Sequence, residues 1–132
     1  MKHLFAFFIF SLFLFGCSVP STPKNTQDLL KNYTGTFAGL LPCADCSGLD
    51  SELHLNSDYT FKLTETYLEK GGPFITTGVW SPIKDFKAVK LVSDETPPAT
   101  SFYGFINKDT ILWLDSNAEV IESNFNYKLN RI

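Results

Sequence analysis

From Tyr33 to Ile132 no segment places apolar residues at i, i+3, i+4 and i+7 over two helical turns, while short runs of Val, Ile, Phe, Tyr, Trp and Thr recur between turn residues. A chain patterned this way buries its apolar side chains on strands, so the expected fold class is all-β. The sharpest instance is the pair 51–56 and 59–68, joined at Ser57-Asp58. Leu53 and Leu55 alternate with Glu52, His54 and Asn56, and Tyr59, Phe61, Leu63 and Tyr67 alternate with Thr60, Lys62, Thr64 and Thr66. Further strands are expected at 35–40, 74–80, 88–92, 101–106, 110–115 and 124–130. A loop at 70–73 and turns at 82–85, 93–98, 107–109 and 116–119 separate them. A small, antiparallel up-and-down β-barrel of about eight strands hides both edges of such a sheet.

The N-terminus is a different object. Six of the 13 Phe residues lie in the first fifteen positions, where Met1-Lys2-His3 precedes an apolar run at 4–15 broken only by Ser11. A spanning helix needs roughly 20 apolar residues, so this shorter run reads as a signal peptide over 1–16. Leu14-Phe15-Gly16-Cys17 resembles the lipobox of bacterial lipoproteins, with Phe15 where a small residue is usual. The alternative is an ordinary secretory peptide cleaved nearby. Cys17 stands where the lipidated thiol is needed, and the polar stretch 18–27 after it suits a tether. We read 17–32 as a lipidated flexible tether, with one helical turn at 28–31, and 33–132 as the folded domain. Removing 1–16 takes Lys2 from the 11 basic residues against 14 acidic, leaving the mature chain at −4. Its dispersed charges form no basic cluster, so no nucleic-acid partner is expected. Attachment to anionic headgroups is likewise disfavoured, and the membrane contact falls to the acyl chains on Cys17.

The densest motif is Pro42-Cys43-Ala44-Asp45-Cys46-Ser47-Gly48. In an exported protein Cys43 and Cys46 would form a short-loop disulfide, worth about 2 kcal/mol by loop entropy alone. Thiol–disulfide exchange is a second reading, but it requires a thiolate at a helix N-terminus, and no such helix is visible in the pattern. The third is a metal site, since two thiolates suit Cu(I) or half of a Zn(II) set. The mature chain has one His, His54, placed by alternation on the wet face, and no Met. Glu65 falls in register with the apolar face, where a carboxylate marks either the barrel rim, a bulge or a ligand cavity, with Tyr67 beside it. Gly78-Val79-Trp80 reads as a core plug at one barrel end. No catalytic triad, carboxylate pair or phosphate-cradling loop is present, so no enzymatic activity is expected.

The string Tyr33-x-Gly35-x-Phe37-x-Gly39-x-Leu41-Pro42-Cys43-Ala44-Asp45-Cys46-x-Gly48-Leu49 resembles the N-terminal domain of the NlpE copper-resistance lipoproteins. The likeness continues through 52–55, Asp58-x-Thr60-Phe61, Tyr67-Leu68, Gly78-x-Trp80 and Asn126-Tyr127-x-Leu129. It implies a barrel similar to a bacterial lipocalin, with the two cysteines in a loop at one end. It also implies attachment to the periplasmic face of the outer membrane, consistent with Ser18, and a link to copper tolerance and envelope-stress sensing. Longer family members carry a second barrel with its own cysteine pair, and this sequence holds the N-terminal domain only. Tyr33 replaces the usual Trp.

Two functions of different class follow as expectations. One is a sensing lipoprotein that contacts an envelope partner, such as the periplasmic domain of a sensor kinase, through Leu40, Leu41, Pro42 and Asp45. The other is a lipocalin-like carrier of a small apolar ligand held near Glu65 and Tyr67. No resident cofactor is expected; copper would need the reduced Cys43 and Cys46. If Cys17 is the anchor, Cys17→Ser should move the protein from the membrane pellet to the soluble periplasm. Retention after an alkaline wash would contradict it.

Overall fold

The computed structural model describes residues 24–132; the expected signal peptide at 1–16, Cys17 and residues 18–23 lie outside them. Helix α1 (Lys24–Tyr33) leads into β1 (Gly35–Leu41), β2 (Leu49–Leu55), β3 (Thr60–Tyr67), β4 (Gly71–Ile83), β5 (Ala88–Ser93), β6 (Thr100–Asn107), β7 (Thr110–Trp113) and β8 (Lys128–Arg131). The strands pair antiparallel in sequence order and β8 closes on β1, which makes an up-and-down barrel without free edges.

Alternation decides which side chains point inward. Leu49, Ser51, Leu53 and Leu55 of β2 are buried, with the exposed Asp50, Glu52 and His54 between them. Across the ladder Leu53 faces Leu63 and Leu55 faces Phe61. With Phe37, Trp80, Val89, Leu91, Tyr103, Ile111 and Leu129 these residues form one continuous core. Trp80 sits in this core, its indole N–H donating to the Asn56 carbonyl at 2.9 Å and its ring 5.0 Å from that of Tyr59. Gly78 makes that packing feasible, because a Cβ there would come within 2.1 Å of the Val92 carbonyl oxygen.

Several boundaries differ from the sequence reading. The segment read as a single turn in a tether is the ten-residue helix α1, whose Leu30 and Tyr33 pack against the barrel core. Its large apolar residues, Leu29, Leu30 and Tyr33, share one face but span little more than one turn, which alone does not mark a ten-residue helix. The loop read at 70–73 belongs largely to β4, because a bulge between Glu65 and Tyr67 shifts the register and brings Tyr67 opposite Gly71. β4 also runs on to Ile83, with Pro82 opposite Val89, so the expected turn at 82–85 starts later. The last strand is confined to β8, and Asn126 and Tyr127 fall in the long β7–β8 connection.

The two barrel ends are unlike. At one, α1 places Tyr33 edge-on to Phe105, ring centroids 4.7 Å apart, and next to Phe86. The guanidinium of Arg131 lies 4.5 Å over the Phe37 ring and donates to the carbonyls of Thr34 at 2.6 Å and Asn32 at 2.9 Å. At the other end gather the β1–β2, β3–β4, β5–β6 and β7–β8 connections. Gly78→Ala should cost roughly 1–3 kcal/mol through forced overpacking and lower the midpoint of thermal unfolding by several degrees. A melt indistinguishable from wild type would show that β4 and β5 can separate freely there.

Candidate functional site

Pro42 ends β1, and the disulfide Cys43–Cys46, with Cα atoms 5.3 Å apart, ties the following loop into a short turn. Of the three readings of the cysteine pair, the disulfide is the one present. The loop is pinned on the β3–β4 side by an ion pair between Asp45 and Lys70 and by the Ser47 hydroxyl, which donates to Glu69 Oε1 at 2.8 Å. The hydrogen bond and charge of Lys70 hold the Asp45 carboxyl below its ordinary range. On the other side Asn126 Nδ2 donates to the Leu40 carbonyl at 3.4 Å.

Between this loop and the β7–β8 connection lies a groove of about 530 Å³, lined by Pro42, Cys43, Ala44, Trp113, Ile121, Phe125 and Tyr127. No charged side chain contributes to it. Phe125 at its edge is 70% exposed, and Val120 nearby in sequence is also largely exposed. Leu40, on the outer face of β1, is 48% exposed. Leu41 is a correction: at 2% exposure it belongs to the core, because alternation along β1 turns it inward beside Phe37, and it presents nothing to a partner. Pro42 lines the groove, and Asp45 is engaged by Lys70. The β7–β8 contribution was missed because 124–127 reads as the start of a strand; the signal was Val120, Ile121 and Phe125 within a stretch rich in turn residues.

A second feature opens at the same barrel end. Glu65 keeps its inward register directly opposite Ser51, and the bulge follows it. With Tyr67, Thr76, Ser101, Tyr103 and Trp113 among its neighbours, it lines a cavity of about 260 Å³ inside the barrel mouth. A cavity beside Glu65 and Tyr67 is what a small-ligand carrier would need, and this one is smaller than the roughly 300–1,000 Å³ usual for ligand pockets. Burial alone pushes the Glu65 carboxyl up, and burial together with the Glu65 charge pushes the Tyr103 phenol well up. His54 is on the wet face, hydrogen-bonded to the Thr36 hydroxyl.

The sulfurs of Cys43 and Cys46 are both spent in the disulfide, so no thiolate is available. Among the described residues no group of three or more His, Cys, Asp or Glu side chains is placed to hold a metal ion.

Residues 37–124 match the family model of the NlpE N-terminal domain. The chain is 34% identical over 129 residues to lipoprotein NlpE of Escherichia coli, covering 92% of this chain and 52% of that protein. It is 32% identical over 87 residues to the 17 kDa lipoprotein of Treponema pallidum, covering 61% of this chain and 56% of that one. The chain thus spans about half the length of these curated relatives. A crystal structure of a Shewanella oneidensis chain assigned as a lipoprotein superposes with a TM-score of 0.65 at 28% identity, covering 86% of this chain and 97% of that one. The crystal structure of the Cpx pathway activator NlpE from Escherichia coli superposes with a TM-score of 0.57 at 31% identity, over 70% of this chain and 48% of that one.

The carboxyl of Glu65 binds a proton more readily in the folded than in the unfolded chain. Its contribution to stability is therefore complete below the unfolded value of about 4.3 and is lost as the pH rises through the higher folded value. Glu65→Gln should melt higher than wild type at pH 7, with the two curves converging below about pH 4. Equal melting at both pH values would place the carboxylate in bulk solvent.

Proposed function

The chain belongs to the NlpE N-terminal domain family, and from that premise we propose that it is a lipid-anchored sensing lipoprotein of the bacterial envelope that acts by docking rather than by catalysis. Its contact surface is the loop end of the barrel: the stapled segment 42–46, Leu40 on the neighbouring strand face, and Phe125 with Tyr127 across the groove. The observation that carries this reading is the combination of a disulfide-fixed loop with an uncharged groove beside a Phe that is 70% exposed. Side chains held by a covalent staple and flanking anchors lose little entropy on docking, so more of the apolar burial survives as affinity. Large aromatics at the centre of a contact are the usual carriers of binding energy.

The partner is the periplasmic domain of a sensor kinase, by analogy with a structural relative that is an activator of the Cpx pathway. The site of action is the periplasmic face of the outer membrane, with the lipid on Cys17 as the membrane contact and 18–23 as the tether that leads to α1. Reduction would free the loop and expose two thiolates, a donor pair for one Cu(I), which links a copper- or redox-dependent signal to a local change of shape. The second reading, a small-ligand carrier, draws on the cavity beside Glu65.

Photocrosslinking in intact cells tests the docking reading. Leu40→Ser and Phe125→Ser should each lower capture of the sensor kinase by at least about tenfold, the equivalent of 1.4 kcal/mol, at unchanged abundance and membrane location. Leu41→Ser is unsuitable, since it would report on folding. Wild-type capture and an unaltered stress response in both variants would move the function away from this face.

A further inference from the structure

The inward face of the barrel changes character along its axis. Towards α1 it is filled by Phe37, Leu55 and Trp80, whereas towards the loop end Glu65, Thr76, Ser93 and Ser101 share the inward face with Leu49, Phe61 and Tyr67. Small hydroxyl side chains where a sealed core would place Leu or Val leave the space that the cavity occupies. Into that space face two polar groups that the fold itself does not satisfy. Glu65 is shifted by desolvation alone, with no hydrogen bond and no neighbouring cation contributing. Tyr103, 2% exposed, is shifted by desolvation and by the Glu65 charge, again without a hydrogen bond. No side-chain oxygen sealed from water is left unpaired among the described residues, so both groups look onto the cavity. Both groups are within reach of water rather than sealed, so a ligand that enters the cavity must replace that water at the Glu65 carboxylate and the Tyr103 hydroxyl.

We propose that the barrel mouth is a binding site for a small organic ammonium ion, with the carboxylate of Glu65 as counter-charge and the rings of Tyr103 and Trp113 as its aromatic wall. The chemistry selects this class. The lining carries two carboxylates, Glu65 within and Glu95 at the exposed rim, and no Lys, Arg or His. An anion would meet both negative charges. A neutral apolar ligand would strip water from Glu65 and leave it uncompensated, which is the most costly arrangement for a carboxylate. An ammonium instead donates N–H to Glu65, with the Tyr103 and Ser101 oxygens as further acceptors, and its positive face rests on aromatic rings, an attraction that strengthens when the site is dry. A volume of about 260 Å³ admits an ammonium of few heavy atoms and excludes a lipid chain. This site shares Trp113 with the docking groove but is carried by Glu65 and Tyr103, which the groove does not use, and its test does not depend on the kinase.

The full chain in detergent would be titrated with n-butylammonium, 1-butanol and butyrate, following the indole N–H resonance of Trp113 together with thermal melts. Butylammonium should shift Trp113 and bind at least tenfold more tightly than 1-butanol, and butyrate should not bind. Glu65→Gln should abolish the preference for ammonium over alcohol. Tyr103→Phe, which keeps the shape of the core, should weaken ammonium several-fold and covers the case in which Glu65→Gln alters the fold. Equal binding of butanol and butylammonium would overturn the proposal in favour of an apolar carrier pocket. Preference for butyrate, absence of any shift at Trp113, or an ammonium affinity unchanged in both variants would also overturn it.

Discussion

Closure of the sheet between its first and last strands is the constraint on which everything else hangs. The seam is short: β1 meets β8 at Phe37 opposite Arg131 and Ala38 opposite Asn130. Backbone pairing over so few residues would fray if nothing else held it. Arg131 supplies the reinforcement, stacking on Phe37 while its nitrogens reach carbonyls of Asn32, Thr34 and Lys108. Three chain segments, the end of α1, the β6–β7 turn and β8, are thereby held by one planar cation, a role that its fixed fork of donors suits and a lysine would not fill. Gly35 makes the approach feasible: its φ of +128° is open to glycine, and a Cβ there would lie 2.3 Å from Arg131 Nη1.

Sealing one end of a barrel makes the other end available. Because α1, Tyr33, Phe86 and Phe105 close the Arg131 end, polar inward residues are tolerated only towards the opposite mouth, where water can reach them. The long connections collect there as well, since β7 and β8 are joined by the stretch that carries Ile121, Phe125 and Tyr127. A rigid scaffold with variable loops at one rim is a common way for a small β-protein to present a recognition surface. The disulfide adds little to global stability at this loop length, and its effect is local: it narrows the conformations of the segment that walls the groove.

The barrel was legible in the sequence because period-two alternation is a direct image of which face is dry, and it is cleanest in β2, where every second residue is buried. What alternation cannot convey is depth along the barrel axis. Even the face is legible only when the pleat is counted from a buried anchor: Leu40 and Leu41 are equally apolar, and the alternation from Phe37 puts Leu41 inside and Leu40 outside. Helix α1 escaped for a related reason: its apolar face is confined to Leu29, Leu30 and Tyr33, and Leu30 and Tyr33 gain their burial only from the barrel end. Glu65 was legible as an anomaly in register, but its meaning depended on Ser51, Thr76 and Ser101, which lie on three other strands. The groove depended on residues some eighty positions away from the cysteine pair, brought together only by closure.

Trp113 joins the two features of the open end. Its side chain contributes to the cavity that holds Glu65 and also to the groove beside the disulfide. It is further constrained by the ring of Tyr127, with centroids 6.1 Å apart, so it cannot change rotamer without disturbing the groove wall. Two sites that share a side chain are not energetically independent, and substitutions in one should fail to add with substitutions in the other. The open end of the barrel thus concentrates its cavity and its groove around one aromatic ring, while the Arg131 end is held by packing and hydrogen bonds.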